Sequence, residues 1–192
     1  MNLKDIVYKN RSYRRFYQEM AISESTMLEL VDLARMSPSG RNLQPLKYCV
    51  ISDPETCSKL FPLLAWAGYL KDWAGPEEGE RPTGYIIIVE DTSVTSESAH
   101  DQGIAAQSIM LGAVEQGLGG CMIASIKRNE VAELLGLGGA LKPVLVLALG
   151  VPKEVVMIEP LDPQGDVKYW RDDQQGHHVP KRLLKDIILC KK

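Results

Sequence analysis

Apolar residues recur at helical spacing from the start of the chain, where Leu3, Ile6 and Val7 share one side of a helix predicted over 2–9. The basic cluster NRSYRRF at 10–16 ends that helix or begins a loop. Ser23 reads as the N-cap of a second helix, with Met27, Leu28, Leu30, Val31 and Ala34 on its apolar face and Ser37-Pro38 as its stop. After the loop SPSGRNLQP at 37–45 the period changes, and the short, partly β-branched run at 48–51 predicts a buried strand. Asp53 as cap and Pro54 in the first turn start another helix. The stretch 66–83 is rich in Gly, Pro and Glu, which predicts a lid or excursion over the core. A strand at 85–89 follows, then a long helix at about 97–116. Its second half, with Ile104, Ala105, Ala106, Ile109, Met110, Leu111, Ala113 and Val114, is apolar on nearly every side and is expected to be buried all round. Strands at 121–124 and 144–149 flank a short helix at 129–135, and an extended tail with Pro160, Pro163 and Pro180 leads to a last helix at 181–189. Helices and strands alternate through connections too irregular for a doubly wound sheet. The expectation is an α+β fold in one domain over 1–192, with 160–192 as a C-terminal arm.

A chain of 192 residues with 45% hydrophobic and 24% charged residues has the ordinary globular balance, which removes wholesale disorder and fibrous repeats. The longest charge-free stretch, 102–114, is 13 residues, short of the roughly 18 that a membrane span needs, so no membrane partner is expected. Lys4, Asp5, Lys9, Arg11, Arg14, Arg15 and Glu19 interrupt any apolar core of a secretory signal, and the expected location is the cytoplasm. Cys49, Cys57, Cys121 and Cys190 form no C-x-x-C pair, which fits reduced thiols better than disulfides or a metal site. Charge is unevenly spread. Residues 1–20 and 168–192 hold 12 basic and 5 acidic residues, whereas the middle holds 10 basic and 20 acidic. Two basic ends on an acidic body suggest convergence on something anionic; nothing points to nucleic acid.

The glycine-rich segments do not complete a dinucleotide motif. Gly117-Leu118-Gly119-Gly120 has Met122, and Gly136-Leu137-Gly138-Gly139 has Leu141, where the third glycine of G-x-G-x-x-G would stand. Gly117 alone reads as a helix C-cap. His100 lies in the long helix, and the adjacent His177 and His178 in a polar tail read as surface residues that make a poor metal pair. With no evident protein nucleophile or metal, reactivity would come from an organic cofactor.

Three stretches taken together narrow the choice: NRSYRRF at 10–16, SPSGRNLQP at 37–45, and DQGIAAQ at 101–107 leading to EQGLGGCMI at 115–123. In order and spacing they resemble the FMN-dependent nitroreductase family, and the closing VPKR at 179–182 resembles the phosphate-binding tail of its short bacterial members. The resemblance implies a central, mainly antiparallel sheet wrapped by helices, and an intertwined homodimer with FMN at the subunit interface. It implies electron transfer from NADH or NADPH to a small organic acceptor such as a nitroaromatic, a quinone or a flavin, in a ping-pong cycle. A flavin-binding redox carrier or sensor, or a dehalogenase-like flavin enzyme, would share the scaffold.

The resemblance also assigns residues. Arg11, Ser12, Lys181 and Arg182 match the phosphate-binding positions, a task suited to guanidinium, ammonium and hydroxyl donors. Arg14 matches the basic position near the N1/O2 edge of the flavin, where an always-charged group stabilises the negative charge of reduction. Pro38, Ser39, Gly40 and Asn42 match contacts to the flavin of the other subunit, with Gln44 nearby, and Ala124 and Ser125 match backbone donors near N5. Two departures stand out: Asn10 occupies a position where many members carry an arginine, and 66–83 does not align with the substrate-covering helices of longer members.

Overall fold

Residues 1–191 are described, from a computed structural model. Strands β1 (Leu46–Ile51), β2 (Gly84–Asp91), β3 (Gly119–Ile123) and β4 (Leu141–Gly150) form one sheet in the order β1-β2-β4-β3, with every neighbouring pair antiparallel. Helix α1 (Leu3–Lys9) opens the chain. Both faces of the sheet are covered. Ile86 and Ile88 of β2, with Leu147 and Leu149 of β4, pack against helices α2 (Glu24–Arg35) and α4 (Ala99–Glu115). The alternate residues Tyr85, Ile87 and Val89, with Val146 and Ala148, pack toward α3 (Pro54–Leu60) and α5 (Arg128–Leu134) and toward Leu64 and Trp66. Two-sided burial is why β2 reads as an unbroken apolar run and not as an alternation.

The helix boundaries follow local chemistry. Ser23 Oγ accepts the Thr26 N–H at 3.1 Å, and Asp53 Oδ1 accepts the Thr56 N–H at 2.8 Å with Pro54 just inside. Helix α4 closes through Gly117, whose φ of +77° is open to glycine, as the Leu118 N–H donates to the Ala113 carbonyl at 2.8 Å. Gly117 is therefore a helix cap. α4 is not buried all round: Ile104 is 40% exposed and Gln107 is exposed, with Leu111 half-buried between them and the core. One broad face of α4 meets α2 and the sheet, and positions 104, 107 and 111 recur at helical spacing on another side.

The C-terminal part differs most from expectation. Strands β5 (Val156–Pro160), β6 (Trp170–Arg171) and β7 (His177–Lys181) form a second sheet in the order β5-β7-β6, where an unpaired tail was expected. Lys181 ends β7, and the last helix, α6, covers only Leu184–Ile187. Residues 65–83 are turns and irregular backbone, yet Trp66 and Ala67 are buried in the core. Tyr69 packs on Tyr169 at 5.0 Å, and Arg171 lies over the Trp73 ring at 4.1 Å, so the segment is tied to the C-terminal sheet.

Candidate active site

The N-terminal segment and β7 meet at β3. Ser12 bridges Gly120 in parallel fashion, and the Tyr13 N–H donates to the Gly120 carbonyl at 2.9 Å, which lays residues 11–14 along the sheet edge. From the other side β7 presents His177, Val179 and Lys181, the same-face residues of an extended strand. Between them lies a cleft of about 310 Å³, which Arg11, Ser12 and Arg14 also line. The two basic ends of the chain thus converge. Arg11 Nη2 donates to the Val7 carbonyl at 2.9 Å, while its buried Nε has no partner. A buried donor left unpaired costs free energy that an anion in the cleft would recover.

Arg14, Met122 and Tyr169 also line an adjoining cleft of about 170 Å³ that reaches Trp66, Ala124 and Ser125. One groove therefore runs from the basic end, past Arg14, to the end of β3. Arg14 is only 8% exposed. Its Nη1 donates to the Ser12 carbonyl at 3.3 Å and stands 3.2 Å from His177 Nε2, and its Cζ lies 4.8 Å from the Tyr169 ring centre. A guanidinium carries only donors, so His177 Nε2 must accept and the ring is the neutral Nδ1–H tautomer. Burial pushes the His177 pKa down to about 4; Glu154 opposes that shift, while Arg14 and Arg171 reinforce it. His177 Nδ1 is buried without a hydrogen bond, 3.9 Å from Glu154.

Glu154 is the buried anchor of this corner. It accepts the Arg14 backbone N–H at 2.8 Å and two bonds from Arg171 at 2.6 and 3.1 Å. The Glu154 charge is thus paired with Arg171, and the Arg14 guanidinium is held by a neutral imidazole, an aromatic face and a carbonyl. Arg14 keeps an uncompensated positive charge beside the groove.

The loop at 38–44 lies elsewhere. Ser39 Oγ donates to Asp101 Oδ2 at 2.6 Å, the Gly40 N–H donates to Asp101 Oδ1 at 3.0 Å, and the Gln44 N–H donates to Ser39 Oγ at 2.9 Å. Asp101, buried in the first turn of α4, fixes a backbone with φ near +50° at Arg41, Asn42 and Gln44. Pro38, Ser39 and Gln44 line a separate cleft of about 370 Å³, with Gly40 and Asn42 exposed beside it.

Within one copy, then, Arg11, Ser12, Arg14, Ala124, Ser125 and Lys181 share a groove, whereas Pro38, Ser39, Gly40, Asn42 and Gln44 form a second surface. Arg182 is exposed, lies just past the end of β7 and is not among the residues that line the groove. His177 is 1% exposed, not the surface residue its polar neighbourhood suggested. Its two-residue spacing from Val179 and Lys181 was the available signal; Glu154 and Tyr169 gave none.

The Nitroreductase family model matches residues 7–151. YdgI of Bacillus subtilis (strain 168), provisionally named an NAD(P)H nitroreductase, is 26% identical over 184 residues, covering 76% of this chain and 86% of its own. A nitroreductase family protein from Clostridium novyi NT superimposes with a TM-score of 0.67 at 26% identity, over 80% of this chain and 86% of that one. A Clostridium difficile R20291 protein described as an FMN-dependent nitroreductase shares the fold over 99% of both chains, with a TM-score of 0.70 at 19% identity. The central antiparallel sheet, the groove at its β3 edge and the family match over three quarters of the sequence agree: this chain belongs to the nitroreductase family.

Proposed function

We propose that the protein is an FMN-dependent oxidoreductase that passes electrons from NADH or NADPH to a small organic acceptor such as a nitroaromatic, a quinone or a flavin. The observation that carries this reading is the polarity of the groove, with Arg11, Ser12 and Lys181 at one end, Arg14 midway and the exposed Ala124 and Ser125 at the other. The donor set fits FMN: the unpartnered Arg11 Nε, the Ser12 hydroxyl and the Lys181 ammonium suit a phosphate, and an always-charged Arg14 suits the ring edge that gains negative charge. Arg182 adds positive potential from outside the groove. When bound, FMN supplies two-electron transfer between reductant and acceptor.

The residues of the chain bind and orient. Arg14, clamped by His177 and Tyr169, provides a fixed charge that needs no reorganisation during reduction. Reductant and acceptor enter the opening by Trp66 and Tyr169 in turn, which gives ping-pong kinetics. The working unit is a homodimer, in which Pro38, Ser39, Gly40, Asn42 and Gln44 of one copy cover the groove of the other. The exposed apolar residues Leu3, Ile104, Leu184 and Ile187 support that reading, as does the loop's own cleft, which shares no lining residue with the groove.

Stopped-flow mixing of the FMN-loaded protein with NADH or NADPH tests the proposal. Loss of flavin absorbance much faster than with free FMN is expected. A rate no faster than that of free FMN overturns the enzyme reading and leaves a flavin carrier.

A further inference from the structure

A third cleft, of about 280 Å³, lies away from the groove, between α3 and the turn that precedes β2. Phe61, Pro54, Pro82 and the buried Tyr85 give it apolar walls, and Arg81 is its one basic lining residue. The Arg81 guanidinium sits over the Phe61 ring, with Cζ 4.4 Å from the ring centre, and its buried Nε has no hydrogen-bond partner. Among the described residues Arg81 makes no ion pair. The neighbouring Glu80 is already taken by Arg15 at 2.5 Å and Lys153 at 2.9 Å.

The rest of the cleft is built around that arginine. Gln18 Oε1 accepts the Gly79 and Arg81 backbone N–H groups at 2.8 and 3.0 Å, which fixes the turn and leaves the Gln18 amide nitrogen as a donor. Ser58 adds a hydroxyl. Burial pushes the Cys57 thiol up to about 11, so it stays neutral and serves as part of the apolar lining. Glu78, exposed, is the one acidic residue lining the cleft. A guanidinium held over an aromatic ring and left without an ion pair suits a planar carboxylate, which it can bind in bidentate fashion. One cation facing one acid favours a monoanion over a phosphate dianion.

We infer that the cleft formed by Arg81, Phe61, Gln18 and Ser58 is a binding site for a small carboxylate carrying a flat apolar body, separate from the flavin groove. The volume is at the small end for ligand cavities and suits a single ring. Phe61 also packs on Trp66 at 5.6 Å, and Trp66 lines the far end of the groove, so the two sites share a wall.

Fluorine NMR of 4-fluorobenzoate with the FMN-loaded protein tests the inference. Saturable binding is expected, with fluorobenzene failing to bind. Arg81→Gln should weaken the affinity by about ten- to a hundred-fold, the loss of a charge-assisted pair, while FMN content stays unchanged. Ser58→Glu, on the exposed side of α3, should weaken it in the same direction by setting a competing carboxylate beside Arg81, and it decides the matter if the Arg81 variant fails to fold. Absence of saturable binding overturns the inference. So does an affinity unchanged in the folded variants, which would assign the binding to the flavin groove.

Discussion

The two sheets of this protein are held together by different forces. In the four-stranded sheet, Ile86, Ile87, Ile88, Leu147 and Leu149 are all fully buried, and the stabilisation comes from apolar area removed from water. In the three-stranded sheet the only strand residue that is buried is His177, and the ties are polar. Glu154 binds Arg171, and His178 bridges Glu159 at 2.7 Å and Asp172 at 3.0 Å while stacking on Trp170 at 4.9 Å. The polar sheet carries His177, Val179 and Lys181, one wall of the groove. The proposed cofactor binding therefore leans on the part of the fold most exposed to mutation of single charges and to pH.

Glu154→Ala should have the largest effect. It strands Arg171 and the Arg14 N–H in a buried corner, at a cost of about 3–5 kcal/mol. Hydrogen exchange should show faster opening across 156–181 with the amides of β2 and β4 unaffected; uniform acceleration would erase the contrast between the sheets. Ile87→Ala should cost about 2–5 kcal/mol by opening a cavity in the fully buried strand β2, and it should act globally, as a single shifted urea transition.

Acidity separates adjacent histidines. Folded His177 stays neutral down to about pH 4, whereas an unfolded histidine takes its proton near 6.5. The unfolded state therefore binds the extra proton, and stability falls as pH drops from 6.5 to 4, by about 3 kcal/mol in all. His177→Gln should flatten that acid limb in thermal melts. His178 behaves in the opposite sense. Its bonds to Asp172 and Glu159 raise its pKa, so its contribution is complete below 6.5 and is lost as pH rises through the folded value. His178→Ala should remove that smaller alkaline loss and leave the acid limb intact.

The same contrast explains what the sequence made legible. β2 and β4 announce themselves as apolar runs, and Ser23, Asp53 and Gly117 mark helix ends through local chemistry that needs no tertiary information. The second sheet has no such signature, because its strands are two to five residues long and mostly half-buried or exposed, and the Glu154–Arg171 and Glu159–His178 pairs that tie it join residues 17 and 19 apart in sequence. The convergence of Arg11 and Lys181 was visible in the charge distribution. Lys181 lines the groove as the last residue of β7, two positions from Val179 on the same face, which a helix expected from residue 181 concealed. His177 was hidden because its polar neighbours made the segment read as an exposed tail. The exposed strip of α4 was missed because Ile104 and Leu111 are apolar whether they meet the core or another surface.

The proposed phosphate end is tested most directly by fluorescence titration of the flavin-free protein with FMN and with riboflavin, in wild type and in Lys181→Ala. The wild type should bind FMN far more tightly than riboflavin, and Lys181→Ala should erode that difference by about one to two orders of magnitude, the loss of one charge-assisted bond to phosphate, while leaving riboflavin affinity nearly unchanged. Equal affinity for FMN and riboflavin in the wild type, or an FMN affinity untouched by Lys181→Ala, would contradict it.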